Sequence, residues 1–480
     1  MEKASRTLPR LTSRFRCSAV PRRILRSRCF STSTPRRTDG VYQEHSPNIS
    51  SRHFARLSTL LLLELTAMRT RTPFIKAFRA QQENKITPPK STEEFQRDLT
   101  PKSMSDSFTR IILPLARDPW LLDSYINSSG HIRLGTIFMD LDALAGVVAY
   151  KHTGDSVMTV TAAVDRITLK RPLSAICDLE LSGKVTFATG RSSMEVSLQV
   201  AKAPADGNDV REEDVLMTCA FTMVSLDPAT KKPVAISPLK PNTPEEVKLF
   251  KEGEQNYNLK KAASKMALRK QTPNDEESDL IHALWLQQLD YHDPNTASRK
   301  PENALYMSST KIQSVQIMQP QYRNRHNFMI FGGFLLKSTF ELAFTCASAA
   351  SHTRPTFIAL DPSTFENPVP VGSVLYMTAT VAYTDSPTLS GADGDLKAST
   401  EGSTRIQVRV DSKIRNIEHG IGETKPTGQF NYTFEVKRDV KIVPQTYDQF
   451  MMYLDARRRA RRVASSVGFE GSKHGGGVME

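Results

Sequence analysis

The chain has 480 residues, 39% of them apolar and 24% charged, which is the make-up of an ordinary globular protein of two or three domains. Its formal net charge of +13 invites a nucleic-acid reading, but residues 1–38 hold ten Arg and one Lys against the single acid Glu2, so +10 of the excess sits in that segment. The rest of the chain is close to neutral, which excludes a phosphate-binding field over the folded body and leaves RNA binding only Arg457 to Arg462 to draw on.

Residues 1–45, Arg-rich, Ser/Thr-bearing and poor in acids, are predicted to be a mitochondrial transit peptide with the matrix as its destination, and "RSRCFSTS" (Arg26 to Ser33) has the form of a peptidase cleavage context. Residues 46–104 are an N-terminal linker region. Its apolar run Leu57 to Met68 is interrupted by Glu64 and falls short of the roughly 20 residues a membrane span requires, so no transmembrane segment is expected.

A first folded domain is predicted over 105–228. From Gly135 to Tyr150 the only charges are Asp140 and Asp142, so this helix must be enclosed on nearly all sides. Strands follow it. "SMEVSLQV" (Ser193 to Val200) sets Met194, Val196, Leu198 and Val200 on one face and Glu195, Ser197 and Gln199 on a face expected to be solvated. A Pro-rich and helical connector, 229–294, contains "TPEE" (Thr243 to Glu246), the form of a capping box. A second domain, 295–445, repeats the first: a helix from Phe334 to Ala350 with only Lys337 and Glu341 charged, then alternating strands such as "RIQVRV" (Arg405 to Val410) and "FNYTFEV" (Phe430 to Val436). Residues 446–480 are read as a C-terminal helix with a basic, solvated face and a disordered tail.

The repetition is quantitative. Asp165 matches Asp361, Leu169 matches Phe365 and Pro172 matches Pro368 at an offset of 196, and Leu134-Gly135 matches Gly332-Gly333 at 198. One supersecondary design is used twice, a long helix wrapped by a curled antiparallel sheet, giving an α+β fold. The cysteines form no CxxC and no regular set, so reduced thiols and no metal site are expected. There is no GxSxG, P-loop, HExxH or Gly-rich dinucleotide fingerprint.

Chemistry concentrates in "RNRHNFMIFGGFLL" (Arg323 to Leu336) and in Asp142. A helix N-terminus presents unpaired N–H groups and a partial positive charge of about +0.5, and Gly332-Gly333 would let a substrate oxygen approach it as an oxyanion does. Close helix–sheet packing explains the same glycines equally well. Asp142 has no cation at helical spacing, which suits a general base or nucleophile bordering a wet cleft; Asp140 competes with it. Asn327 can donate and accept at once, and so could orient a water, or it simply forms a turn. His326 is a weaker candidate. Glu341 has Lys337 four residues earlier and reads as an intrahelical ion pair.

"HNFMIFGGFLL" (His326 to Leu336), "FENPVPVGSVL" (Phe365 to Leu375) and "GTIFMDLDALAG" (Gly135 to Gly146) together resemble the mitochondrial acyl-CoA thioesterases that carry two tandem hotdog domains, over roughly residues 100–445. That resemblance implies a tandem double hotdog, hydrolysis of acyl-CoA, no cofactor beyond the CoA carried by the substrate, and a homo-oligomer, a trimer of such chains. It also implies a site built between the halves from an Asn before Gly-Gly and an acid about seven residues after it. The pattern here is divided: Asn327 precedes Gly332-Gly333, with Phe340 at the acid position, whereas Asp142 follows Gly135, with Ser129 at the Asn position. One composite site, Asp142 and Asn327 with Gly332, Gly333 and Gly135 at helix starts, is the expectation. A non-catalytic acyl-CoA-binding or assembly protein and a hotdog hydratase are the alternatives.

Overall fold

The computed structural model describes residues 74–86, 99–173, 175–204, 209–265, 268, 271–293, 295, 299–325, 328–385, 403–416 and 424–466. The expected transit peptide, most of the linker before residue 99, and both His326 and Asn327 lie outside the described residues. All described elements belong to the unit Ser50–Glu480.

The longer helices are α1 (Phe74–Ile86), α2 (Leu134–Thr153), α3 (Pro244–Lys265), α4 (Asp275–His292), α5 (Gly332–Ser351) and α6 (Tyr447–Ser466). The strands run β1 (Thr109–Leu113), β2 (Met158–Leu169), β3 (Leu179–Ala188), β4 (Ser193–Lys202), β5 (Val215–Leu226), β6 (Ala304–Tyr306), β7 (Ile312–Ile317), β8 (Thr356–Leu360), β9 (Ser363–Thr364), β10 (Val374–Thr384), β11 (Thr404–Arg415), β12 (Thr424–Val436) and β13 (Lys441–Val443).

Eleven of the described strands form one sheet in the order β1-β3-β4-β5-β2-β8-β12-β11-β10-β7, with β9 paired to β2. The order is a palindrome. Each half is an antiparallel sheet of the same connectivity, and the two meet edge to edge where β2 pairs with β8 and β9, Ile167 opposite Leu360 and Val164 opposite Ser363. Each half's weakest edge is thus covered by the other half's. The α+β class and the tandem helix-plus-sheet design read from the repeat are what the chain adopts.

The two apolar helices pack against each other in the enclosure the sheet makes. Gly154, at φ 75° and ψ −177°, closes α2 with its N–H on the Tyr150 carbonyl, a backbone conformation glycine adopts without strain. Phe138 of α2 meets Phe340 of α5 edge to face at 5.0 Å, and both rings contact Phe357 of β8. Burial of rings of this size dominates a core's energetics, which is why the helices need no surface amphipathicity.

Two expectations are corrected. The outer face of β4 is not solvated: Glu195 is buried, because α3 of the connector lies across it. Likewise the basic end of α6 faces inward. Arg457 and Arg459 are buried; Arg457 and Arg461 bond Glu276, Arg458 bonds Glu277 of α4, and Arg459 reaches Asp361 and pairs with Asp455. Long cationic side chains can bury their stems when carboxylates receive the head. Periodicity within one element reports its two faces but not what a distant helix lays over one of them.

Among the described residues no helix is long and apolar enough to cross a membrane, and no cluster of metal-ligating residues occurs. Cys177, Cys219 and Cys346 are free thiols; burial pushes the Cys346 thiol up to about 12.

Candidate active site

Asp142 lies two turns into α2, only 2% exposed. Its Oδ2 accepts the Gly333 backbone N–H at 2.6 Å, and its Oδ1 accepts the Thr161 hydroxyl of β2 at 2.7 Å. The carboxylate therefore sits at the N-terminus of the other half's helix, where the macrodipole favours negative charge.

The two glycines have separate reasons. A Cβ on Gly333 would stand 2.7 Å from the Met139 carbonyl oxygen and 2.9 Å from its Cα, so this glycine permits α5 to approach the α2 backbone. A Cβ on Gly332 would stand 3.1 Å from Asp142 Oδ2 and would displace the carboxylate. Close packing, one of the two readings open from sequence, is thus one job of the pair. The Gly333 N–H meets the Asp142 carboxylate.

A cavity of about 550 Å³ opens beside this contact. Asp142, Gly146, Thr161, Phe331, Gly332 and Leu335 line it, together with Phe365 to Val369. The two conspicuous motifs of the second half are zipped together at its wall. Ile330 N–H bonds the Val369 carbonyl at 2.8 Å, Val371 N–H bonds the Phe328 carbonyl at 3.1 Å, and Phe365 N–H bonds Ala162 of β2 at 2.9 Å. The Pro-rich loop after β9 is a clamp that carries the glycine segment to the first half's strand.

The remaining sequence candidates distribute as follows. Asp140 is buried and accepts the Tyr125 phenol at 2.6 Å, a structural bond in the first half. Glu341 receives Arg133 of the first half at 2.5 Å, so the ion pair expected with Lys337 is corrected to one that crosses between the halves. Gly135 opens α2 against Lys337 and Phe340, and lines a second cavity rather than the one beside Asp142.

Sequence reasoning passed over Thr161, because one hydroxyl on a strand carries no periodic signal. It also passed over Asn324 and Arg325, both lining the cavity. Arg325 is paired with Asp155 at 2.6 Å and lies 4.2 Å over the Tyr150 ring. The polar run before Gly332-Gly333 was the available signal for these two.

Away from the cavity, Asp165 and Glu195 share one cation on the sheet's outer face. Lys260 of α3 lies 2.6 Å from Asp165 and 3.8 Å from Glu195. Burial raises both carboxyls above their ordinary range. Glu195 reaches about 7, with the charge of Asp165 as the next cause.

No family model matches the chain. It is similar to the human mitochondrial acyl-coenzyme A thioesterase 9, 35% identical over 76% of this chain and 79% of the relative. It is similar to the mouse mitochondrial acyl-coenzyme A thioesterase 10 at 33% over 78% and 81%. The chloroplastic acyl-coenzyme A thioesterase 2 of hop (Humulus lupulus) matches at 32% over 81% and 85%. Among solved structures, the acyl-CoA hydrolase of Staphylococcus aureus in complex with butyryl coenzyme A is 24% identical, covering 39% of this chain and 99% of that one, with a TM-score of 0.29.

Proposed function

The chain belongs to the acyl-coenzyme A thioesterases of which the mitochondrial thioesterases 9 and 10 are members, and from that membership we propose that it hydrolyses acyl-CoA in the mitochondrial matrix with Asp142 as the residue that activates water. The observation that carries this reading is the meeting of Asp142, from one half, with the start of α5, from the other, at the wall of a cavity.

In this reading the acyl-CoA carbonyl lies against the α5 N-terminus. Asp142 takes a proton from a water that attacks the carbonyl carbon. Negative charge develops on the carbonyl oxygen, where the Gly332 N–H, beside the already engaged Gly333 N–H, is the donor at hand. Collapse breaks the C–S bond, CoA leaves as thiolate and takes up the proton, and the free acid remains. Thr161 and the Gly333 N–H hold the two carboxylate oxygens and set the direction of the remaining lone pairs. Asn327, five residues before Gly332, is assigned to orient the water on the strength of the motif. The reaction requires no cofactor beyond the CoA of the substrate. The active chain is a homo-oligomer, a trimer of double hotdogs. The edge strand β7, with Val315 58% and Ile317 52% exposed, supports assembly, because a second copy would cover that apolar edge.

The test is release of free thiol from acyl-CoA. Asp142→Asn is expected to lower turnover by roughly 10²–10⁴-fold. Asn327→Ala is expected to impair it as well, and the double variant to be barely worse than Asp142→Asn, because the two act as one unit. Near-normal hydrolysis by Asp142→Asn would overturn the assignment. A monomer in light scattering would overturn the assembly.

A further inference from the structure

The second cavity, about 510 Å³, is the internal counterpart of the first at nearly the same size. The correspondence holds residue by residue. Leu169, Pro172 and Leu173 line it where Phe365, Pro368 and Val369 line the first, all at the repeat offset of 196. Phe340, Glu341 and Phe344 of α5 line it where Asp142, Ala143 and Gly146 of α2 line the first, at 198.

What differs is the chemistry. At the position of the Asp142 carboxylate stands the Phe340 ring, whose edge would be 3.4 Å from a Cβ on Gly135. The one acid in the lining, Glu341, is out of register by a residue and is bonded to Arg133. Among the described residues no carboxylate is placed at the start of α2 to activate water. The lining is mainly apolar, and it includes Arg133 and the exposed Arg354. A mainly apolar chamber with cations in its lining suits an amphiphile with an anionic head. A cleft of this size, mainly apolar with a few polar groups, has the character of a small-molecule site.

We propose that this second cavity, lined by Leu173, Phe340, Phe344, Arg133 and Arg354, binds a second acyl-CoA molecule and holds it unhydrolysed. The proposal rests on the reading of the first cavity as the hydrolytic site, since the occupant is inferred from the equivalence of the two. The sites share a wall: α5 presents Gly333 to Asp142 at its start and Phe340 to the second cavity two turns on.

The test is calorimetric titration of the full chain with the thioether analogue of octanoyl-CoA, which cannot be hydrolysed. Two molecules per chain are expected. Thr345→Trp, which places an indole at the lining of the second cavity, is expected to reduce this to one. Arg354→Glu, an exposed change that spares packing, is expected to weaken one of the two binding events at least tenfold and leave the other. One molecule per chain in the unaltered protein, with thiol release intact, overturns the second site alone. So does an unchanged two-site titration in both variants. Absence of analogue binding together with absence of thiol release overturns the hydrolytic reading from which the occupant was inferred.

Discussion

Replacing Glu195 with Gln should stabilise this protein, and chiefly at neutral and alkaline pH. Glu195 is 7% exposed, beneath α3, and shares Lys260 with Asp165, which lies closer to the ammonium. The groups facing it are Asp165 of β2, Thr186 of β3, and Lys260 and Asn256 of α3, with Glu252 and Arg166 along the recess beside it. Its carboxyl is pushed from the ordinary 4.5 up to about 7, by burial first and by the charge of Asp165 second. An acid whose folded pKa is raised binds its proton more tightly in the folded chain. The stability this allows is fully present below about pH 4.5 and is lost as pH rises through about 7. At about 1.4 kcal/mol per unit, the cost of ionising Glu195 in the folded chain is on the order of 3 kcal/mol at pH 8 and under about 1 kcal/mol at pH 5. The second half already carries the neutral solution. Gln407 of β11 lies opposite Thr433 as Glu195 lies opposite Thr222, and its amide donates to Asp361, the counterpart of Asp165, at 3.1 Å. Glu195→Gln should therefore raise the unfolding temperature by roughly 3 °C at pH 8 and by under about 1 °C at pH 5. Differential scanning fluorimetry across that range measures both. A fall at pH 8, or a gain independent of pH, would refute the shared-cation account.

Gly333→Ala should lower stability by about 1–3 kcal/mol, the range for overpacking, because its methyl meets the Met139 backbone rather than a movable side chain; a denaturant midpoint equal to that of the unaltered chain would count against the close-approach reading. Thr161→Val keeps the shape of β2 but removes the hydroxyl from Asp142, so kcat should fall about tenfold with KM little changed. An unchanged kcat would reduce Thr161 to a packing residue. Residues 1–45 fused to a reporter should carry it into mitochondria, and cytosolic fluorescence would exclude the transit-peptide reading.

The carboxylate at the centre of the candidate site was legible because it broke a local rule. Asp142 is a charge in a helix otherwise apolar, and such a residue must be explained by something outside its own helix. The edge-to-edge doubling was legible from the matched positions Asp165/Asp361, Leu169/Phe365 and Pro172/Pro368. Glu341 shows where this kind of reasoning fails. Lys337 is near in sequence, yet the guanidinium that reaches Glu341 comes from Arg133, 208 residues away. Thr161 was missed for the same reason, being an ordinary strand hydroxyl until α2 is laid against β2.

By itself the sequence determined the repeat, the helix pair that must be enclosed and several of the strands that follow each helix, since these depend on periodicities within a few turns of chain. Only the tertiary structure decided which oxygen of Asp142 meets Gly333, which cation reaches each buried acid, and that the outer faces of β4 and β11 lie under α3 and α6. Those outcomes depend on groups brought within 3 or 4 Å from remote positions, and at that range a single side chain sets the electrostatics. The inequality of the two cavities needed both. The replacement of Asp142 by Phe340 is written in the chain, whereas the near-equality of the volumes follows only from how the halves pack.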